Sequence, residues 1–117
     1  MLTKHAVAGE AAALTEFWSQ KVLATANGNL LKVAKGTRST TWHAHDDQDE
    51  TFLLLTGEMT IQLRDGDVPL LPGDLLVIPR GIDHCPRVDS DEAHFLLIGP
   101  DVTSTPAGGK PAWSGGS

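Results

Sequence analysis

Tyrosine is absent from these 117 residues, and cysteine occurs once, as Cys85. Without a tyrosine, this chain acting alone runs no reaction that needs a phenol as acid, base or radical. A lone thiol rules out an intrachain disulfide and fits a reducing compartment. Long apolar runs are missing too. None approaches the ~20 residues of a membrane-spanning helix, and Met1 to Trp18, broken by Lys4, His5, Glu10 and Glu16, holds no signal-peptide core. Basic residues are few, nine Lys and Arg against fifteen Asp and Glu, for a net charge of -6. An acidic surface repels phosphate backbones and anionic headgroups, so neither nucleic acid nor membrane is expected as a partner. These absences together predict a soluble, cytoplasmic protein.

What is present is an ordinary globular balance, 40% hydrophobic and 21% charged, in a chain of single-domain size. Turn residues punctuate it at intervals of about 8 to 12 positions. Asn27-Gly28 and Asp65-Gly66 are hairpin dipeptides, since both positions tolerate positive φ. Lys35-Gly36, Thr56-Gly57, Pro72-Gly73-Asp74 and Pro79-Arg80-Gly81 supply further turns. Between them lie short apolar or alternating runs: 21–26, 30–34, 39–45, 50–55, 59–64, 68–71, 75–78, 84–88 and 93–98. Met59, Ile61 and Leu63 alternate with Thr60, Gln62 and Arg64, a period of two with one buried face. So many short strands predict an all-β antiparallel sandwich or barrel. Residues 1–20 read as a segment packing on the barrel, with a short helix over 11–18 docked by Phe17 and Trp18. The barrel takes 21–102, and 103–117, rich in Gly, Pro, Ser and Thr, reads as a flexible tail. Trp113 stands out there as an anchor on this subunit or a neighbour.

Three histidines and a glutamate carry the chemistry. His43 and His45 flank Ala44 on an expected strand, so alternation puts both imidazoles on one face, roughly 6–7 Å apart along the backbone. After four intervening residues Glu50 opens the next strand, and His84 arrives from a later one after a Pro-x-Gly turn. Three imidazoles and a carboxylate make a mixed N/O donor set for one divalent transition metal, Mn, Fe, Co, Ni, Cu or Zn. In an octahedral sphere two positions stay open for water, substrate or oxygen. A rival set reads His45-Asp46-Asp47 as H-x-D, so that His45, Asp47 and His84 make two histidines and a carboxylate; it leaves His43 unexplained.

The segment from Gly36 through His43, His45 and Glu50 to Gly57 resembles the first cupin motif, G-x5-H-x-H-x3,4-E-x6-G. Gly73 through Pro79, Gly81 and His84 resembles the second, G-x5-P-x-G-x2-H. The resemblance spans about residues 29–100. It implies a double-stranded β-helix (jelly-roll) barrel, and it implies that His43, His45, Glu50 and His84 are the metal ligands. Two departures stand out: six residues rather than five separate Gly36 from His43, suggesting a longer turn, and Val88 replaces the asparagine that closes the second motif. The missing tyrosine sets this chain apart from the sugar-epimerase cupins and from tyrosine-dependent thiol dioxygenases.

The expected function is a small metal-dependent enzyme, of dioxygenase or isomerase/lyase type, acting on a small organic or sugar-like molecule. Glu50 and His94 are the candidates for moving protons. The alternative is a non-catalytic module that binds a small ligand or metal. Phe52 and Leu54 share Glu50's face by alternation and are expected beside the metal. Thr51, Leu53 and Leu55 face the other way, and an outer wall carrying leucines needs a cover. That predicts a homodimer. Cys85, next to a ligand, should point away from it and reads as a small buried thiol.

Overall fold

The computed structural model describes residues 2–100; Trp113 and the expected tail lie outside them. A helix, α1 (Val7–Ala12), precedes eight strands: β1 (Lys21–Ala26), β2 (Asn29–Gly36), β3 (Glu50–Thr56), β4 (Met59–Leu63), β5 (Val68–Leu70), β6 (Leu75–Ile78), β7 (His84–Val88) and β8 (Ala93–Pro100). They form two antiparallel sheets, β1-β2-β8-β3-β6 and β5-β4-β7. The turn dipeptides sit where the strands reverse: Asn27 and Gly28 both take positive φ between β1 and β2. β3 and β8 bury alternate residues. The larger sheet contributes Phe52, Leu54, Phe95 and Leu97, the smaller one Met59, Ile61, Leu70 and Val88, and together they fill the space between the layers. This is the jelly-roll arrangement expected of the chain.

Two local expectations are corrected. The helix runs over Val7–Ala12 and not over 11–18. Beyond it the chain unwinds to plant Trp18, whose backbone N–H donates to Lys35 O at 2.7 Å and whose indole N–H donates to Thr37 O at 3.1 Å. Trp18 takes φ 66°, outside the helical region, and its ring lies 5.9 Å from that of Phe95. Phe17 stays 43% exposed, with the Lys35 ammonium 4.8 Å over its ring.

The strand expected over 39–45 reduces to two isolated bridges to β7, Ser39 with Arg87 and His43 with His84. From Ser39 to His43 is four residue steps, while Arg87 to His84 is three. One extra residue is therefore accommodated between the bridges, as in a β-bulge. The additional residue between Gly36 and His43 is absorbed there.

Candidate metal centre

Three stretches of backbone meet at the centre. Glu50 is the first residue of β3 and His84 the first of β7. His43 joins them by a reciprocal pair of backbone hydrogen bonds with His84, each 2.9 Å. A hydrogen-bonded antiparallel pair presents its side chains to one face, and the two imidazole centroids stand 4.4 Å apart. His45 follows two residues later, with its ring 5.2 Å from that of His43. Its carbonyl accepts the Gly81 N–H at 2.7 Å, which ties the turn before His84 to the segment bearing the other histidines. Arg80 N–H donates to Asp49 Oδ1 at 2.9 Å and fixes the same turn from the other side.

One donor atom from each of His43, His45, Glu50 and His84 lies within 4.8 Å of the other three. Ligand bonds of about 2.0–2.2 Å put the donors of one ion roughly 3–4 Å apart, so the four need only a small inward shift to share one. His45, Glu50 and His84 are buried, at 4%, 8% and 1% exposure.

The protonation pattern tests the fit. His43 Nδ1 lies 2.8 Å from Thr41 O, and His84 Nδ1 lies 2.8 Å from Ile82 O. A carbonyl only accepts, so both Nδ1 atoms carry hydrogen and, in the neutral rings, Nε2 holds the lone pair. Yet His84 Nε2 sits 3.1 Å from Glu50 Oε1, and His45 Nε2 sits 3.4 Å from the same oxygen. Lone pair facing carboxylate attracts only with a positive charge between them, a proton or a metal cation. His45 also has no hydrogen bond at either ring nitrogen, although it is buried. Such groups are costly without a partner, and a cation supplies one. Backbone carbonyls orienting ligand imidazoles through Nδ1–H are a familiar outer support of metal sites.

Electrostatics agree. Burial pushes the Glu50 carboxyl up, but the imidazoles of His45 and His84 outweigh it and hold it at about 2, so it is ionised. Burial lowers the His43 pKa, which keeps that imidazole neutral and able to ligate.

The other candidates fall elsewhere. His94 pairs across β8 with Lys35 and Thr56, on the face opposite Phe95. It bonds Glu92 Oε2 at 2.6 Å and is not among the four. The rival set is not assembled: Glu50 is the carboxylate grouped with the histidines, and Asp47 lines a cleft with Thr51, Val77 and Arg80 instead. Phe52 and Leu54 do share Glu50's face and are fully enclosed in the core. Cys85 points away from His84; its thiol contacts Thr40 O at 3.4 Å, and burial raises its pKa. Thr60, Gln62 and Arg64 lie on the face opposite Met59 and Ile61, where they meet Asp89, Cys85 O and Asp83. The supporting carbonyls of Thr41 and Ile82 were beyond sequence reasoning, since every residue has a carbonyl; the only signal is their shared position two residues before a ligand.

Known proteins show the same frame. A cupin-2 domain protein of Shewanella frigidimarina superposes with a TM-score of 0.75 at 31% identity, over 80% of this chain and 90% of that one. The uncharacterized protein YdbB of Bacillus subtilis is 37% identical over 62 residues, 52% of this chain and 55% of its own. A 3-hydroxyanthranilate 3,4-dioxygenase of Ruegeria pomeroyi is 29% identical over 75 residues, 61% of this chain and 42% of its own. The chain thus spans about half the length of these two curated relatives. The cupin domain family model, Cupin_2, matches residues 29–99, a stretch that begins at β2, closes at β8 and contains all four donors. On that match the chain belongs to the cupin domain family.

Proposed function

We propose that this chain is a metal-dependent enzyme of the dioxygenase type, acting on a small organic molecule that chelates the ion through two oxygens. The observation that carries the reading is the convergence of His84 Nε2 and His45 Nε2 on one Glu50 oxygen, at 3.1 and 3.4 Å, in a buried site. A divalent metal held by these four groups would supply Lewis-acid and, for a redox-active ion, electron-transfer chemistry at its open positions.

The chain's own residues do the rest. Thr41 O and Ile82 O lock the tautomers of His43 and His84. Glu50, ionised throughout the physiological range, supplies one negative charge and lowers the site's net charge with a divalent ion to +1. The apolar core begins on the same strand face at Phe52 and Leu54 and limits water near the site.

Two findings support oxygen chemistry over a proton shift. His94, one of the two candidate proton carriers, stands on the opposite face of its sheet, and Glu50, the other, belongs to the donor set. The Ruegeria relative is a dioxygenase by name.

The test is anaerobic loading with Fe(II), Mn(II), Ni(II), Co(II), Cu(II) or Zn(II), followed by oxygen uptake with a panel of catechols, diketones and sugars. Uptake that disappears in His84→Ala supports the proposal. Deuterium wash-in from solvent without oxygen uptake would instead identify an isomerase or lyase. A metal-loaded protein that turns nothing over but melts at a higher temperature with a ligand is a binding module.

A further inference from the structure

The alternation of β3 continues upstream of its first residue. Asp47 is half-buried, Gln48 buried, Asp49 exposed, Glu50 buried, Thr51 half-buried and Phe52 buried. Gln48 therefore shares the inward face of Glu50 and Phe52, two residue-rises or ~6–7 Å along the backbone from the carboxylate. Two hydrogen bonds hold the loop on either side of it, Gly81 N–H to His45 O and Arg80 N–H to Asp49 Oδ1. The neighbouring strand leaves room for its amide. One step beyond the Thr51–Ile98 pair, register sets Gly99 opposite Glu50. A Cβ on Gly99 would lie 2.9 Å from Gln48 Oε1 and 3.6 Å from Asp49 O. Gly99 does not take a positive φ, so its backbone does not demand glycine; the space held by the amide does. The rest of that row is apolar, with Leu30 beside Gly99 and Ile78 beside Glu50.

Gln48 is 8% exposed, and its side chain has no hydrogen-bond partner among the described residues. A carboxamide carries two N–H donors and a carbonyl acceptor, and enclosing them unpaired costs stability. Its place on the ligand face says what would pair them. We infer that Gln48 is a substrate-binding residue, whose amide N–H donates to an oxygen of the molecule chelated at the ion. Oε1 rests against Gly99, which leaves the N–H pair as the end that reaches a ligand. A donor beside a centre of net charge +1 suits an anionic oxygen, so the class selected is a chelator that binds deprotonated, a catecholate or an enolate. The inference rests on the chelation reading given above and adds to it the residue that reads the substrate and the charge of the oxygen it reads.

The test uses the full-length protein loaded anaerobically with Co(II), whose visible bands report its ligands. It is titrated with 4-nitrocatechol, a coloured chelator, and with azide, a ligand of the ion alone. Gln48→Met should weaken nitrocatechol binding by about 10-fold or more, as expected for a lost hydrogen bond to a charged oxygen. Azide and Co(II) affinities should not change. In chelator the variant should melt no lower than wild type, because the amide it loses was unpaired. Gly99→Ala, by displacing the amide tip, should also weaken nitrocatechol binding, and should have no such effect in a Gln48→Ala background. Equal nitrocatechol binding by wild type and Gln48→Met overturns the inference and leaves the chelation reading standing. A wild type that binds azide but not nitrocatechol overturns both. Loss of Co(II) affinity in Gln48→Met would make Gln48 a metal ligand, and a lower melting temperature in chelator would make it structural; either result overturns the assignment.

Discussion

At the scale of the residue, the centre is built for a cation and is awkward without one. A single carboxylate oxygen faces two imidazole nitrogens, and two of the three rings have their Nδ1–H committed to carbonyls. Glu50→Gln separates the two roles of that carboxylate. It removes the charge that holds a divalent ion, and metal affinity should fall by at least ~100-fold, the upper range for loss of a mere outer support. The ionised carboxylate is favoured by the metal-free fold, so its loss should leave the metal-free variant less stable than metal-free wild type, although the amide can still donate to His84 Nε2. Metal titration and melting of both proteins in chelator check this; a variant that unfolds would mean that Glu50 is structural. The pH dependence follows from the same groups. Burial lowers the pKa of His43 from its ordinary 6.5, so in the window below 6.5 the unfolded chain binds more protons than the native one, and stability falls with pH. Glu50, held at about 2, stabilises the native state above its ordinary 4.5, and that stability is lost as pH falls from 4.5 towards 2. Metal-free protein should therefore melt at a temperature that drops in two stages on acidification, first below pH 6.5 and again below 4.5. A flat profile between pH 7 and 5 would show that His43 is not held neutral by the fold.

At the scale of the element, what sequence could show depended on whether the cause was local. Turn dipeptides are local, so the strand limits of β1, β6 and β7 match the expectation residue for residue. The alternation of β3 is local as well, and it placed Glu50, Phe52 and Leu54 on one face and Leu53 on the other, as the burial pattern confirms. Helix propensity in Ala11–Trp18 is equally local, but there the tertiary demand on Trp18 won: its two hydrogen bonds to the β2 end pull the chain out of the helix. The shift between Ser39 and His43 arises from pairing with β7, which no short window contains. Trp18 also explains Gly36. A Cβ there would lie 2.6–2.8 Å from three atoms of the indole ring. Gly36→Ala should destabilise by ~1–3 kcal/mol through overpacking, and in a Trp18→Leu background it should cost much less, because the clash is gone. A double-mutant cycle by denaturant unfolding measures that coupling; additive effects would show that Gly36 has another reason to be glycine.

At the scale of the whole molecule, one strand serves two surfaces. β3 begins with Glu50 and continues with Phe52 and Leu54 facing inwards, while Leu53 faces the side where the outward leucines predict a second copy. β6 exposes Leu75 and Val77 and pairs Ile78 with Glu50, so the metal and the expected interface share a scaffold and no side chain. All four donors come from one chain. It follows that assembly and metal loading should be separable in both directions. Val77→Lys sets a charge on that outward face and should be monomeric; it should still bind one metal per chain, and metal at 100 times its Kd should still stabilise it by ~2.7 kcal/mol. Glu50→Gln, having lost the metal, should still sediment as a dimer. Elemental analysis, melting with and without chelator, and sedimentation on the two variants form a crossed test. Metal content that falls when the dimer dissociates would mean that the second copy shapes the site. A dimer that dissociates when the metal is stripped would mean that the ion holds β3 and β6 in the form the partner needs. Because opposite faces of a strand are set by its alternation alone, the expected result is neither: two properties of one short strand, each lost without the other.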